Sequence, residues 1–257
     1  MGPFNSSATR VKPVFDRLLE RDSSGADWIS DVLRTMPHGA RLAAALSAPG
    51  TLLDDGKPRF EYPAPPSDAF LWWLIRHPER MTWPIRSGVE VRYGESTQTQ
   101  RERLFGRRGA SEQQAAQGEA LAELDRRSAS RSARQWWAFE GVTKVDFCIQ
   151  TERLVIFVEG KRTEKLTASN DWFAQRSQLV RNMEVVGAVA GDRPCGVLLA
   201  VEDPLPELDD QTLKESTPHL DADERAEVAA RYLGQVLWRD LCGAVDIDYE
   251  SLPYTLP

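Results

Sequence analysis

Two acidic side chains and one amine stand in a stretch, Lys144 to Glu164, that otherwise has the composition of buried β-strands. Asp146 interrupts the first apolar segment, and Glu159 and Lys161 follow the apolar run "LVIFV". Like charges on a half-buried sheet are unfavourable unless a cation lies between them. Carboxylate oxygens suit Mg²⁺, which binds through one or two carboxylates together with water and substrate phosphate. These residue types therefore predict a divalent-metal site for phosphodiester hydrolysis.

Whether the two carboxylates meet depends on the turn that joins the two strands. Side chains alternate along a strand, so Glu159 and Lys161 point to the same face. An even-numbered turn within "QTER" brings Asp146 to that face, either directly opposite Glu159 or one step diagonal to it, whereas an odd-numbered turn separates the carboxylates. The run "LVIFV" has no polar alternation, which predicts a central strand covered on both faces.

The pattern resembles the PD-(D/E)xK nuclease superfamily. The stretch "VDFCIQTERLVIFVEGK" carries the resemblance: Asp146, twelve intervening residues, then Glu159-Gly160-Lys161, with Val145 where a proline is often found. The resemblance covers residues 111 to 203 and implies a restriction-endonuclease-like αβββαβ core, which is a small mixed sheet flanked by helices. It implies Mg²⁺, or Mn²⁺ in its place, as cofactor. Under it, Asp146 and Glu159 would be metal ligands, and Lys161 would position or polarise the attacking water.

The resemblance also implies roles for the two flanking helices. The preceding helix often supplies another carboxylate, and Glu119 and Glu123 lie one turn apart on one helix face. We favour Glu119 as the third metal ligand for its spacing, and the alternative is that both glutamates are solvated helix residues, as at least one of them must be. In the following helix, Gln175, Gln178 and Asn182 form one polar stripe, and Gln178 is the candidate catalytic residue.

Basic side chains near the motif predict contacts with a phosphate backbone, namely those of Arg162, Lys165 and Arg181. The chain has a net charge of -7, but residues 101–181 carry a net +4 and residues 182–257 a net -11. The motif therefore lies in the only basic segment, which favours nucleic acid, and DNA first, as the partner. A solvated basic helix face is the alternative. A homodimer or a protein partner would use the N-terminal or the acidic C-terminal region.

Hydrophobic periodicity predicts how these residues are positioned. From Ser111 the patterns give a helix, three extended segments ("QWWAFEG", "TKVDFCIQ" and "RLVIFVEGK"), a helix capped at Ser169 or Asn170, and the strand "RPCGVLLAVED". Helices that alternate with a small sheet predict an α/β layer structure. We expect a mostly helical extension over residues 1–100, whose "GKPRFEYPAPPSD" breaks regular structure, and a nuclease-like domain over 101–257. That domain would close with the helix "DADERAEVAARYLGQVLWRDLCG".

Other chemistry is poorly represented in the sequence. The three cysteines lie far apart, the three histidines are isolated, and neither a Walker loop nor a GxSxG motif is present. No apolar run approaches the roughly 20 residues of a membrane helix, and the start lacks a signal-peptide core, so we expect a cytoplasmic protein without membrane contact. Two alternatives to a nuclease stay open: an inactive nuclease-like nucleic-acid-binding or adaptor module, and a structural ion-pair network.

Overall fold

The computed structural model describes residues 5–42, 48–82, 85–86, 89–90, 94–127, 135–166 and 172–255. Helices flank a five-stranded mixed sheet, which confirms the predicted α/β class. The strands are β1 (Phe60–Ala64), β2 (Ile85–Arg86), β3 (Val89–Glu90), β4 (Thr143–Gln150), β5 (Val155–Lys161), β6 (Cys195–Val201) and β7 (Tyr232–Leu237). The helices are α1 (Lys12–Arg21), α2 (Ile29–Arg34), α3 (Asp68–Arg76), α4 (Glu95–Leu104), α5 (Ala110–Arg127), α6 (Gln178–Ala190), α7 (Asp210–Ser216), α8 (Ala222–Ala229) and α9 (Trp238–Ala244).

The main sheet has the strand order β1-β4-β5-β6-β7, while β2 and β3 pair with each other. Strands β1, β4 and β5 are successively antiparallel, and β5, β6 and β7 are parallel. In the β4–β5 hairpin Gln150 pairs with Val155, so the turn is even-numbered. The paired register ends at Phe147, which pairs with Val158, and Asp146 lies just beyond it. Side-chain alternation is interrupted at Asp146, because Val145 packs in the layer of α6 and Phe147 in the layer of α1. The turn is even-numbered as the prediction required, and the contacts of Asp146 itself decide where its carboxylate lies.

Both faces of the sheet are covered by helices, and every residue of β5 is buried. On one face α1, α2 and α9 pack against the sheet, and the ring of Phe15 stacks on that of Phe147 with centroids 4.0 Å apart. On the other face α6 contributes Met183 and Val186, which pack with Phe157. This double coverage is the physical reason for the unalternating run "LVIFV", and it confirms the predicted central strand.

The first hundred residues contribute directly to this sheet. Helices α1 and α2 supply one covering layer, and β1 pairs with β4 at the edge. The prediction that "GKPRFEYPAPPSD" has no regular structure was wrong, because β1 lies within it. Pro63 is tolerated there because an edge strand has one side that makes no ladder hydrogen bonds.

Two other predicted elements need correction. The segment "QWWAFEG" forms turns and no strand; Trp137 and Phe139 are apolar because they pack with α3 and α5 in a separate aromatic cluster. The predicted closing helix is divided into α8, β7 and α9. Gly234, at a φ of 93°, has a backbone conformation that a helix cannot accommodate, and it lies against Pro37.

Helix α6 begins later than predicted. It starts at Gln178 with Ser177 as its N-cap residue, and the predicted caps Ser169 and Asn170 lie outside the described residues. Within the part of the chain that the structure describes, the helices are all too short or too polar to cross a membrane.

Candidate functional site

The predicted acid and lysine lie at the C-terminal end of β5 and face helix α6. Glu159 is 1% exposed and Lys161 is 8% exposed. The ammonium of Lys161 donates to Oε1 of Glu159 at 2.7 Å. Gly160 between them faces the opposite side of the sheet, where Val11 and Trp238 pack. Because side chains alternate along a strand, Glu159 and Lys161 lie on a polar face of β5 and Gly160 lies on an apolar one.

Helix α6 provides two amides to the same carboxylate. Gln178 donates from Nε2 to Oε1 of Glu159 at 2.7 Å, and its Oε1 accepts from Lys161 at 3.3 Å. Asn182 donates from Nδ2 to Oε2 of Glu159 at 3.0 Å. The four-residue spacing places the two amides one helical turn apart on one face. The polar stripe in the sequence was the signal for both, but only Gln178 was included in the predicted site, and Gln175 is exposed outside the helix.

The carboxylate of Asp146 lies at the peptide between the other two motif residues. Its Oδ2 accepts from the backbone N–H of Gly160 at 2.9 Å. Burial raises the pKa of Asp146 to about 7, and the negative charge of Glu159 acts in the same direction. The Gly160 N–H and the positive charge of Lys161 oppose this shift without cancelling it. The two carboxylates are therefore electrostatically coupled in a region that is short of positive charge.

We refer to Asp146, Glu159, Lys161, Gln178 and Asn182 as the acid–lysine cluster. It holds two carboxylates and one ammonium, and Oδ1 of Asn182 is buried with no hydrogen-bond partner among the described residues. Carboxylate and amide oxygens are the donors that Mg²⁺ and Mn²⁺ accept. Among those residues no group of three or more His, Cys, Asp or Glu side chains is arranged to hold a metal ion. A cation here would depend on at most two protein carboxylates, supplemented by water.

The helix glutamates that were predicted as a third ligand have other partners. Both oxygens of Glu119 accept from Arg103 at 2.9 Å, and 47% of the Glu119 side chain is exposed. Glu123 pairs with Arg126 on the surface of the same helix. These contacts do not connect either glutamate to the acid–lysine cluster.

The three predicted phosphate contacts have different environments. Arg181 donates from Nη2 to the Thr143 hydroxyl at 2.8 Å, while its Nε is buried with no partner among the described residues. Burial lowers the pKa of Arg181. Arg162 is buried and donates to the backbone carbonyl of Tyr254. Lys165 is exposed at the rim of an apolar cavity of about 390 Å³.

A second buried charged group, which the sequence did not predict, also contacts α6. Arg176 is 1% exposed and binds Glu140 through two 2.9 Å bonds. It also donates to Glu184 and to the Ser216 carbonyl, each at 2.9 Å, and Glu184 contacts Nε2 of His219 at 3.0 Å. Burial alone would raise the pKa of Glu184, but Arg176 and His219 lower it to about 2. We call these five residues the Arg176 network.

Comparisons of the chain with protein-family models, with curated proteins and with solved structures found no match.

Proposed function

We propose that the chain is a metal-dependent nuclease of the PD-(D/E)xK, restriction-endonuclease-like class, which hydrolyses phosphodiester bonds of DNA. The observation that carries the proposal is the acid–lysine cluster. Glu159 is buried beside Lys161, and the Asp146 carboxylate binds the peptide between them. A buried pair of carboxylates with one amine keeps an excess negative charge, which a divalent cation would offset.

The topology supports the finer fold assignment within this proposal. Taken in chain order, α1, β1, β4, β5, α6 and β6 follow the αβββαβ sequence, and the last strand is parallel to β5. Helices α3, α4 and α5, together with the paired strands β2 and β3, would then be an insertion between β1 and β4. The first strand of the core is therefore assigned to β1 and the first helix to α1, in place of "QWWAFEG" and α5.

Asp146 and Glu159 would hold the Mg²⁺ or Mn²⁺ ion. When bound, the ion would activate a water molecule and stabilise the charge that develops on the scissile phosphate. Lys161 would hold the attacking water or a phosphate oxygen, because its ammonium has three donors and its described bonds are to Glu159 and Gln178. Gln178 contacts both Glu159 and Lys161, so it would keep their relative orientation during turnover.

Arg181 is the best supported of the predicted phosphate contacts. Its guanidinium is held beside the start of β4 by one bond to Thr143, and its Nε has no partner among the described residues. A planar donor in that state is suited to a phosphate oxygen. Lys165 is exposed and can contact a backbone further from the scissile bond. Arg162 is already bonded to the Tyr254 carbonyl, and nothing in its contacts favours a phosphate.

One observation favours the structural alternative, in which the cluster is an ion-pair network. Lys161 contacts Glu159 directly at 2.7 Å. That interpretation explains the lysine, but it leaves the second carboxylate without a compensating cation. The inactive adaptor alternative predicts the same geometry and differs only in the absence of cleavage.

The test is cleavage of plasmid, linear and single-stranded DNA with Mg²⁺, Mn²⁺ or EDTA. We expect metal-dependent cleavage by the wild-type chain and a loss of about 100-fold or more in Lys161→Ala, since a positioned water or phosphate donor is removed. Lys144→Ala is the matched control, because Lys144 is an exposed lysine on the same hairpin that pairs with Glu61. This control should cleave at the wild-type rate.

Three outcomes separate the candidate functions. Cleavage by Lys161→Ala at the wild-type rate contradicts the proposed site. DNA binding without cleavage in either metal supports the adaptor module. Neither binding nor cleavage, together with a lower melting temperature of Lys161→Ala, supports the ion-pair network.

A further inference from the structure

The residues just before α1 lie on the face of β5 that is opposite the side chains of Glu159 and Lys161, where Val11 approaches Gly160. Residues Ser7–Val11 form a π-helical turn that continues into α1. π-Helical turns are rare and are frequently found at functional sites. Ser6, Thr9 and Val11 are buried, so this turn is a packed part of the fold.

The turn is seated on the glycine of the motif. The Ser6 hydroxyl donates to the Gly160 carbonyl at 2.8 Å, and the Ser6 N–H donates to Glu164 at 2.8 Å. A Cβ atom on Gly160 would lie 2.4 Å from Cγ2 of Val11 and 3.0 Å from the ring of Trp238. Only glycine therefore allows this close approach of the turn to the strand.

The same glycine holds the first carboxylate of the motif. Its N–H donates to Oδ2 of Asp146 at 2.9 Å, and the nearby Ser7 hydroxyl lowers the pKa of the same carboxylate. Ser6 thus fixes the carbonyl of the residue whose N–H binds Asp146. One short segment is therefore connected to the carboxylate through a single glycine.

We infer that the segment Ser6–Val11 is a positioning element of the candidate active site, which sets the Asp146 carboxylate relative to Glu159 by fixing Gly160. Its residues act through Gly160 and Asp146, and they need not touch substrate. The catalytic consequence rests on the proposed function, but the positioning can be measured without DNA. A misplacement of about 1 Å at a reacting centre is enough to cost about 100-fold in rate.

The first test is a double-mutant cycle of Gly160→Ala, Val11→Ala and the double variant, which measures the steric contact between positions 160 and 11. We expect Gly160→Ala to lower Mn²⁺ affinity and DNA cleavage by about tenfold or more, because the new Cβ displaces the turn or the strand. Val11→Ala removes the atom at 2.4 Å, so the double variant should recover part of both losses. Equal losses in Gly160→Ala and in the double variant would contradict the inference.

The second test uses Ser6→Ala, which keeps the packing and removes the bond to the Gly160 carbonyl. The amide ¹H and ¹⁵N shifts of Gly160 report its hydrogen bond to Asp146, and Asp146→Ala defines the shifts without that bond. We expect Ser6→Ala to move the Gly160 shifts toward those of Asp146→Ala and to weaken Mn²⁺ binding by about threefold or more. Ser24→Ala is the control. It removes a hydroxyl that binds Asp22, outside the segment Ser6–Val11, and it should change neither quantity.

The outcomes are decisive even if Gly160→Ala does not fold. Unchanged Gly160 shifts in Ser6→Ala overturn the inference. If the melting temperature of this variant falls while the Gly160 shifts and the Mn²⁺ affinity are unchanged, Ser6 has only a structural role, and the inference is also overturned. If the wild-type chain binds no Mn²⁺ and cleaves no DNA, the proposed function fails, and the Gly160 shifts still decide the positioning role.

Discussion

The two buried charged groups that contact α6 differ in how their charges are balanced. In the Arg176 network one guanidinium binds two carboxylates. It makes two 2.9 Å bonds to Glu140 and one 2.9 Å bond to Glu184, and the pKa of Glu184 is lowered to about 2. In the acid–lysine cluster the ammonium donates to the Glu159 carboxylate and to the Gln178 amide, and the pKa of Asp146 is raised to about 7. Both groups are buried, and both contain two acids and at least one permanent cation.

The difference separates a group whose charges are balanced internally from one that, under the proposed function, would take a further cation. A structural network satisfies its carboxylates internally, so ionisation favours the folded state. A ligand site keeps a carboxylate whose charge is unfavourable until the ligand is bound. This contrast is the physical reason why the proposed function uses the acid–lysine cluster, and why we expect the Arg176 network to stabilise the fold.

The largest expected effect is the loss of the central cation of the Arg176 network. Arg176→Met leaves Glu140 and Glu184 buried without their main partner, and it should lower the free energy of unfolding by about 3–5 kcal/mol. Urea unfolding measures this change. In Arg103→Met the lost pairs involve exposed glutamates, so the cost should stay at or below about 1 kcal/mol. Equal costs would mean that burial does not distinguish the two arginines.

The next effect is an opposite dependence of stability on pH in the metal-free protein. The pKa of Asp146 in the folded chain, about 7, lies above its ordinary value of 3.8. Its contribution to the free energy of unfolding is therefore largest below pH 4 and is lost as the pH rises through 7. The pKa of Glu184, about 2, lies below its ordinary 4.5, so its contribution is present above pH 4.5 and is lost as the pH falls toward 2.

Urea unfolding in EDTA across this pH range tests the opposite signs. The stability of the wild-type chain relative to Asp146→Asn should fall with rising pH, and relative to Glu184→Gln it should rise, each by an amount on the order of 2 kcal/mol. Slopes of the same sign in the two comparisons would show that the two groups do not differ in charge balance.

The smallest effect is expected at the predicted third ligand. Glu119→Gln should leave Mn²⁺ affinity and DNA cleavage unchanged and alter stability by less than about 1 kcal/mol, because Glu119 pairs with Arg103 at the surface. Calorimetric titration with Mn²⁺ is the readout. A loss of Mn²⁺ binding in this variant would restore Glu119 to the ligand set.

The features that local patterns determine were accessible from the sequence. The unalternating run before Glu159 predicted a central strand, and the polar stripe of α6 placed Gln178 and Asn182 on one face. Strand β1 was missed because its state depends on pairing with β4, while its own sequence is interrupted by proline. Strand β7 was also missed because its state depends on pairing with a distant strand, β6, while the alanine-rich helix before it favours a helical pattern.

Contacts between residues far apart in the chain were beyond local patterns. Nothing near Glu119 in sequence indicates that Arg103, from another helix, would bind its carboxylate. Nothing near Asp146 indicates that Ser6 and Val11 would be seated on Gly160. Asp146, Glu159 and Lys161 therefore lie on the strands that local patterns predicted, whereas the residues that contact them from elsewhere in the chain have no local signal.

The most direct test of the proposed site is a titration with Mn²⁺ at neutral pH. Binding is measured as the decrease of the electron paramagnetic resonance signal of free Mn²⁺. We expect the wild-type chain to bind Mn²⁺ and Asp146→Asn to have lost this binding. We also expect Glu184→Gln, which alters a carboxylate of the Arg176 network, to bind Mn²⁺ as the wild type does. Mn²⁺ binding that is unchanged in Asp146→Asn, or absent from the wild-type chain at millimolar concentration, would contradict the proposed site.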